Sequence, residues 1–336
     1  MLGPPFWNLF FADVQKVIEA EGAQSSVYAD DLNAFKTFDS ETSNDDILAD
    51  MGKCADKVHE WGSANQVLFD PSKEGFCVMH RRDHEGNDFT LLGVSYDPQL
   101  TMFRFLKSLG RRMSNKLAVL LKTKWVHSQK ELISQYKTHV MSLCEMVTPA
   151  IYHAAPSYLD KIDRVQRHFL KAINMSERDA FLNHNLVPQQ LRRDIGMLGA
   201  LHKCATGQAH PEIADVFPMH KSPLRATNTH TKQLHDHFDT RNNWPEWMQR
   251  SVYGLIKVYN ELPQSTVDQL VVSRFQAVLT EKARISCRSD TGGWQLIYDP
   301  IVNNSPVSSD QMNHRIVANL IEQLNARRRA QEQPVG

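Results

Sequence analysis

The sequence predicts an α+β chain: antiparallel hairpins packed on two helices, then an all-α bundle, then a helical C-terminal region. Three observations predict it. Ser26-Val27-Tyr28-Ala29-Asp30-Asp31-Leu32-Asn33-Ala34-Phe35 sets strand formers on both sides of an aspartate pair, and Leu32 and Ala34 alternate with Asn33. Tight hairpins have this pattern, with Asp at the bend and Val, Tyr and Phe in the strands. On each side lies an apolar series at helical spacing: Phe6, Leu9, Phe10, Val14, Val17 and Ile18 before it, and Ile47, Leu48, Met51, Cys54, Ala55, Val58 and Trp61 after it. From Phe103 onward the period is helical nearly throughout. The expected divisions are 1–98, 99–175, 176–326 and a disordered tail, 327–336.

Each element has a local reason. Pro4 and Pro5 suit a helix start, where their missing N–H groups are not needed, and the helix from Pro5 to about Glu21 stops at Gly22. Trp7 and Phe11 widen its apolar face, so it needs cover on more than one side. A polar loop, Asp39 to Asn44, leads to a helix from Asp45 to Trp61, with Asp45 and Asp46 in the first turn, where the macrodipole favours acids. Gln66 to Phe69 reads as a strand and Asp70-Pro71-Ser72-Lys73 as a turn. Gly75 to His80 and Phe89 to Tyr96 read as two strands joined by the loop Arg81 to Asp88. Helices are expected over Phe103 to Trp125, Ser128 to Thr148 and Pro156 to Met175, the last with Lys161, Arg164, Arg167 and Lys171 outward. Further on, Leu191 to Thr206, Trp244 to Asn260 and Ser265 to Cys287 read as helix, Gly207 to Thr229 as loop, and Gly292-Gly293 as a turn. His230, His235 and His237 lack an acidic or cysteine partner and read as surface histidines.

The formal net charge of zero hides an asymmetry: residues 1–60 hold twelve acids against four bases, whereas Arg104 to Lys137 holds nine bases against Glu131 alone. An acidic part beside a basic part suits a metal site next to a phosphate-binding surface, and Arg111, Arg112 and Lys116 are the candidates for nucleic-acid backbone contact. A solvated helix face is the plainer reading of that run. Five scattered cysteines, none in a Cys-x-x-Cys pair, suggest neither a disulfide frame nor a zinc knuckle. No segment is long and apolar enough to span a membrane, and Met1 to Phe11 lacks a signal peptide's basic start. The expectation is an intracellular chain, in cytoplasm or nucleus, with no membrane partner.

Tyr28-Ala29-Asp30-Asp31 resembles the aromatic-x-Asp-Asp catalytic hairpin of reverse transcriptases of non-LTR (LINE-like) retrotransposons. Leu2-Gly3-Pro4-Pro5-Phe6-Trp7 is similar to the end of that family's preceding motif, Asp70-Pro71-Ser72-Lys73 to its Asn-Pro-x-Lys segment, and Leu91-Leu92-Gly93-Val94 to its Leu-Gly primer-grip strand. The four stand in the family's order over the first third of the chain. The resemblance implies a partial polymerase palm followed by a helical thumb, and RNA-directed DNA synthesis with an RNA template, a DNA primer and deoxynucleoside triphosphates. It implies two Mg²⁺ (or Mn²⁺) ions held through Asp30 with support from Asp31, Tyr28 beside the primer terminus, Lys73 acting on the phosphates, and Leu92 and Gly93 against the primer. Read on residues alone, Asp30-Asp31 is a solvated turn, Lys73 an exposed turn lysine, and Gly93 a bulge or close-packing position.

The chain begins at Met1, inside the first of these motifs, so the resemblance also implies an amino-truncated enzyme. The fingers and the strand carrying a further catalytic aspartate would be missing, with no useful polymerase activity from the chain alone and with Val27 and Phe35 left exposed. Two alternatives stand beside it: a non-catalytic nucleic-acid-binding helical module resting on Arg104 to Lys137, and an inert pseudogene product.

Overall fold

The computed structural model describes residues 3–80, 82–220, 231–237, 245–289 and 292–304. The chain divides into two compact units, Met1–Thr101 and Met102–Gly336. The stretches containing Arg81, His230 and Trp244, and the tail from Arg327, lie outside the described residues.

The first unit mixes helix and strand: α1 (Gly3–Ala20), β1 (Gln24–Tyr28), β2 (Asp31–Phe35), α2 (Asn44–Ala64), β3 (Cys77–Val78), β4 (Glu85–Gly86), β5 (Phe89–Leu91) and β6 (Val94–Tyr96). The strands pair as three separate antiparallel two-stranded sheets, β1-β2, β3-β4 and β5-β6. Helix α1 ends as expected at Gly22, which takes φ 73°. Its buried stripe is Phe11, Val14 and Ile18, and burying each such side chain contributes on the order of 1.5–3 kcal/mol. Phe6 and Leu9 stay largely exposed, so the wide apolar face read from the sequence is only partly covered. Ser43 caps α2 by accepting from the Asp46 N–H at 3.2 Å, which satisfies a donor that the first turn leaves open.

The β1-β2 hairpin lies on these two helices. Ile18, Ala23 and Cys54 form a small core, and Leu32, Ala34 and Val58 pack against it. A second cluster joins α1 to α2 through rings: Phe11 meets Trp61 edge-on at 5.7 Å and lies 6.3 Å from Phe69. Helix α2 runs past the expected end at Trp61 and takes Gly62 into its buried side. A Cβ there would lie 2.6 Å from the Val67 carbonyl oxygen and 2.9 Å from the Phe69 ring.

Several local expectations are corrected. Gln66 to Phe69 is not a strand; the chain turns back there so that the Val67 N–H donates to the Gly62 carbonyl at 2.8 Å. Asp70-Pro71-Ser72-Lys73, by contrast, is a turn as expected: a short 3-10 turn, Pro71–Lys73, capped by Asp70, whose Oδ1 accepts from the Ser72 N–H at 3.0 Å. Gly75 to His80 and Phe89 to Tyr96 are not partner strands. Cys77–Val78 pairs instead with Glu85–Gly86, inside the expected loop, and Phe89 to Tyr96 folds on itself.

The second unit is helical: α3 (Phe103–Lys122), α4 (Gln129–Tyr136), α5 (Ser142–Glu145), α6 (Thr148–Ile151), α7 (Pro156–Ala172), α8 (Glu177–His184), α9 (Gln189–Ala205), α10 (Pro211–Val216), α11 (Glu246–Gln249), α12 (Gly254–Asn260), α13 (Gln264–Val267), α14 (Val272–Arg288) and α15 (Pro300–Asn304). The expected helix Ser128 to Thr148 runs unbroken from Gln129 to Glu145, with a π segment, Lys137–Met141, set between α4 and α5. The two helices expected between residues 244 and 287 are each split, at Arg250–Tyr253 and at Asp268–Val271, and part of the expected loop Gly207 to Thr229 is helix α10. Helices α3 and α7 cross closely at Gly110, where a Cβ would come within 3.2 Å of the Lys161 carbonyl. Tyr136 stacks on Phe169 with centroids 4.3 Å apart. Buried Arg193 of α9 forks onto Asp163 of α7 at 2.6 and 2.8 Å, which compensates a charge that burial alone would make costly. No helix among the described residues is long and apolar enough to cross a membrane.

The two glycines of α2 test this packing, because a Cβ at Gly52 meets nothing within 4 Å. Gly52→Ala should stabilise the chain by about 0.5–1 kcal/mol through helix propensity. Gly62→Ala should destabilise it by about 1–3 kcal/mol through overpacking. Urea denaturation midpoints shifting in the same direction for both variants would contradict the turn at Val67 to Phe69.

Candidate functional site

The hairpin has a two-residue tip. Tyr28 pairs with Asp31, Val27 with Leu32, Ser26 with Asn33, Ser25 with Ala34 and Gln24 with Phe35, which leaves Ala29 and Asp30 to make the bend. Side chains on a strand alternate between faces. Leu32 and Ala34, with Val27 and Ser25 opposite them, are half-buried on the helix side. Asp31, with Tyr28 opposite it, faces outward, and Tyr28 is 65 % exposed. Val27 is therefore partly covered, contrary to the sequence expectation, whereas Phe35 is exposed as expected.

Ala29 holds φ 56°. A hairpin bend with positive φ at its first central residue normally takes glycine there, and a non-glycine residue costs about 1–2 kcal/mol. The bend is tied down from α1: the Trp7 indole N–H donates to the Ala29 carbonyl at 2.8 Å. The far end is held by Lys36, whose ammonium donates to the Glu21 carbonyl at 3.1 Å and to Asp50 Oδ2 at 2.6 Å. Through that hydrogen bond the ammonium holds the Asp50 carboxyl below its ordinary range.

Asp30 and Asp31 are both exposed, and neither carboxylate has a hydrogen-bond or ion-pair partner among the described residues. This differs from Asp13, Asp50 and Asp70, each of which faces a lysine. Two adjoining, solvated carboxylates offer the oxygen donors that hard divalent cations take, usually through one or two acids with phosphates completing the shell. Among the described residues no group of three or more His, Cys, Asp or Glu side chains converges on one point.

Lys73 is 83 % exposed on its side chain and lies 4.0 Å from Asp70 of its own turn. Leu92 and Gly93 are corrected: they sit not within a strand but at the tip between β5 and β6, with φ 49° and 78°. Positive φ at both central positions is the I′ bend that matches strand twist, and Phe89 stacks on Tyr96 behind it at 5.0 Å. This tip and the Asp30-Asp31 tip belong to different sheets.

In the second unit, Arg111, Arg112 and Lys116 are exposed on α3 without a partner among the described residues, as are Lys107 and Lys122. Glu131, the acid of that basic run, is engaged elsewhere. It closes a capping box with Ser128, whose N–H donates to Oε2 at 2.8 Å. Cations of α7 differ: Arg164 Nε donates to Asp160 at 2.6 Å and Arg167 pairs with the same carboxylate, so one negative charge offsets part of the outward basic face expected there. Sequence reasoning missed Trp125, which is 85 % exposed with the Lys124 ammonium 4.6 Å over its ring. The interleaving Lys122-Thr123-Lys124-Trp125 was the available signal.

Comparison of the chain with protein-family models, curated proteins and solved structures gives no match.

Ala29 decides whether the bend tolerates its geometry. Ala29→Val should lower stability by about 1–3 kcal/mol, since a branched side chain fits positive φ worst. Ala29→Gly should leave it unchanged or raise it. Thermal melts in which the two variants behave alike would rule out the bend conformation.

Proposed function

We propose that the first unit is a palm-like piece of a reverse transcriptase of the non-LTR retrotransposon kind, in which Asp30 and Asp31 contribute carboxylate oxygens to a Mg²⁺ (or Mn²⁺) site for nucleotidyl transfer. The observation that carries this reading is the hairpin itself. Tyr28-Ala29-Asp30-Asp31 makes its bend, its inner face rests on two helices, and both carboxylates are solvated and unpaired among the described residues. The donor chemistry fits a hard cation. A bound ion supplies Lewis-acid activation of a phosphate and of an attacking hydroxyl. Within this reading Tyr28, outward beside Asp31, packs at the end of a DNA primer paired to an RNA template. Lys73, exposed on its turn, meets the triphosphate of an incoming deoxynucleotide as a point charge. Leu92 and Gly93 present a backbone bend to the primer.

Two neighbouring carboxylates cannot surround a pair of ions, and Asp13 is engaged with Lys16 at 2.8 Å. A further acid on another strand is required, so the chain alone is expected to extend no primer. The cation half-site is tested directly by Fe²⁺ in place of Mg²⁺ with ascorbate and peroxide. Backbone cleavage should map to residues 27–33 and disappear in the double variant Asp30→Ala, Asp31→Ala; cleavage elsewhere, or unchanged in the variant, removes the reading. Primer extension by the chain alone that is lost in Asp30→Ala would keep the assignment but overturn the expected inactivity.

A second reading is favoured by α3 and Trp125: a non-catalytic nucleic-acid-binding module. Unpaired cations along a helix neutralise phosphates without reading bases, and an exposed indole stacks on an unpaired base. Replacing Arg111, Arg112 and Lys116 by Ala should weaken binding to single-stranded DNA and flatten the log–log salt dependence by about one unit per cation that touches a phosphate. Asp30→Ala should leave it unchanged. Gel shifts at two salt concentrations showing no change in the triple variant would set this reading aside.

A further inference from the structure

We propose that the second unit contains a phosphate-binding cleft lined by Lys130, Lys137 and Arg284, distinct from the hairpin and from the α3 stripe. The cleft measures about 380 Å³. Helix α4 supplies Lys130 and Ser134, the π turn Lys137, the C-terminal end of α8 Asn183, and α14 Arg284. Arg284 stands 147 positions from Lys137, so no local sequence pattern connects them.

The three cations are held differently. Lys130 is exposed and has no partner among the described residues. Lys137 donates to the His184 carbonyl at 2.6 Å, which leaves its other N–H bonds free. Burial, with Arg192 nearby, pulls its pKa below the ordinary lysine value. Arg284 lies with its guanidinium 5.5 Å over the Phe181 ring. One of its terminal nitrogens donates to Asn185 Oδ1 at 2.7 Å, and the other lies 3.2 Å from Glu281. Asn185 is in the left-handed conformation, φ 50°, that closes α8, which fixes the guanidinium plane. Arg284 Nε is buried and makes no hydrogen bond.

Glu281 is the acid paired with this group, and it also faces Arg288 at 3.7 Å. Three cations against one shared carboxylate leave about two positive charges uncompensated where water is partly excluded, an arrangement that an anion stabilises. A phosphate dianion matches that surplus. Its tetrahedral oxygens can engage the second N–H of each terminal guanidinium nitrogen, the remaining ammonium N–H bonds and the Ser134 hydroxyl, whereas a carboxylate has two oxygens in one plane. The cleft is larger than bare phosphate, so it has room for the group the phosphate is attached to. That group is either a small phosphoester or the 5′-phosphate of a nucleic-acid strand.

The test uses the full chain with sodium phosphate against sodium chloride at equal ionic strength, read by thermal shift and calorimetry. Phosphate should raise the melting temperature and bind with a dissociation constant in the millimolar range or tighter. Lys130→Ala, on an exposed side chain, should weaken binding about tenfold, the effect of one charge-assisted hydrogen bond. Arg284→Lys, which keeps the charge but loses the two terminal guanidinium nitrogens, should weaken it further. Should that variant fail to fold, Lys130→Glu replaces it and should abolish binding.

Single-stranded oligonucleotides with and without a 5′-phosphate then separate the two sources. Preference for the phosphorylated strand that Lys130→Ala removes identifies a strand end, and phosphate binding without such preference identifies a small phosphoester. A melting temperature no higher in phosphate than in chloride, or a phosphate effect unchanged in Lys130→Ala, overturns the site. None of these readouts depends on Asp30, so the fate of the hairpin assignment is separate.

Discussion

One face of the hairpin is seated on a helix pair, and this seating determines what the bend can present. Leu32 and Ala34 meet the core of Ile18, Ala23 and Cys54, and alternation then turns Asp31 and Tyr28 to the other side. A slip of one residue would drive Asp31 against that core and expose Leu32, and burying an unpaired carboxylate costs several kcal/mol. Register is therefore strongly specified even though the sheet has only two strands. Lys36 closes one end on both helices, and the Trp7 indole holds the bend at the other. A lone hairpin is marginal in water; this one depends on those supports, and they carry the strain of a non-glycine residue at Ala29.

The second unit separates charges that support the fold from charges left for a partner. Arg193 is buried and met by Asp163 at two distances normal for a fork, and Arg164 and Arg167 converge on Asp160. These cations are occupied. Arg111, Arg112, Lys116 and Lys130 are not, among the described residues, and Glu131, the one acid within that basic run, is committed to capping α4. A count of basic residues treats the two groups alike, but the second can meet a phosphate without first breaking an ion pair.

What the sequence disclosed follows from how local each cause is. The hairpin, the apolar stripes of α1 and α3 and the acidic first turn of α2 rest on residues within a few positions of one another, and all were legible. The bend at Leu92-Gly93 was not, because a leucine at positive φ runs against its own preference and only the pairing of Phe89 with Tyr96 imposes it. The turn after Gly62 was equally hidden: its cause is a close approach of Val67 and Phe69 to a helix that the pattern ended too early. The π segment after α4 has no proline or glycine to mark it. Asp160 silences two arginines from within their own helix, a pairing visible in spacing once looked for, whereas Arg284 reaches its cleft only through the tertiary fold.

The bare carboxylates and the open sheet have a common physical remedy. Both strands of the β1-β2 sheet have an outer edge with no strand paired to it among the described residues, and such edges favour another strand. In the proposed reading the further acid is placed on a strand, because a strand paired at that edge would bring a carboxylate to the level of Asp30 and Asp31 while matching the pleat. Adding that strand would pair the backbone and complete the cation's oxygen shell in a single step. Cation affinity and sheet stability would then rise together.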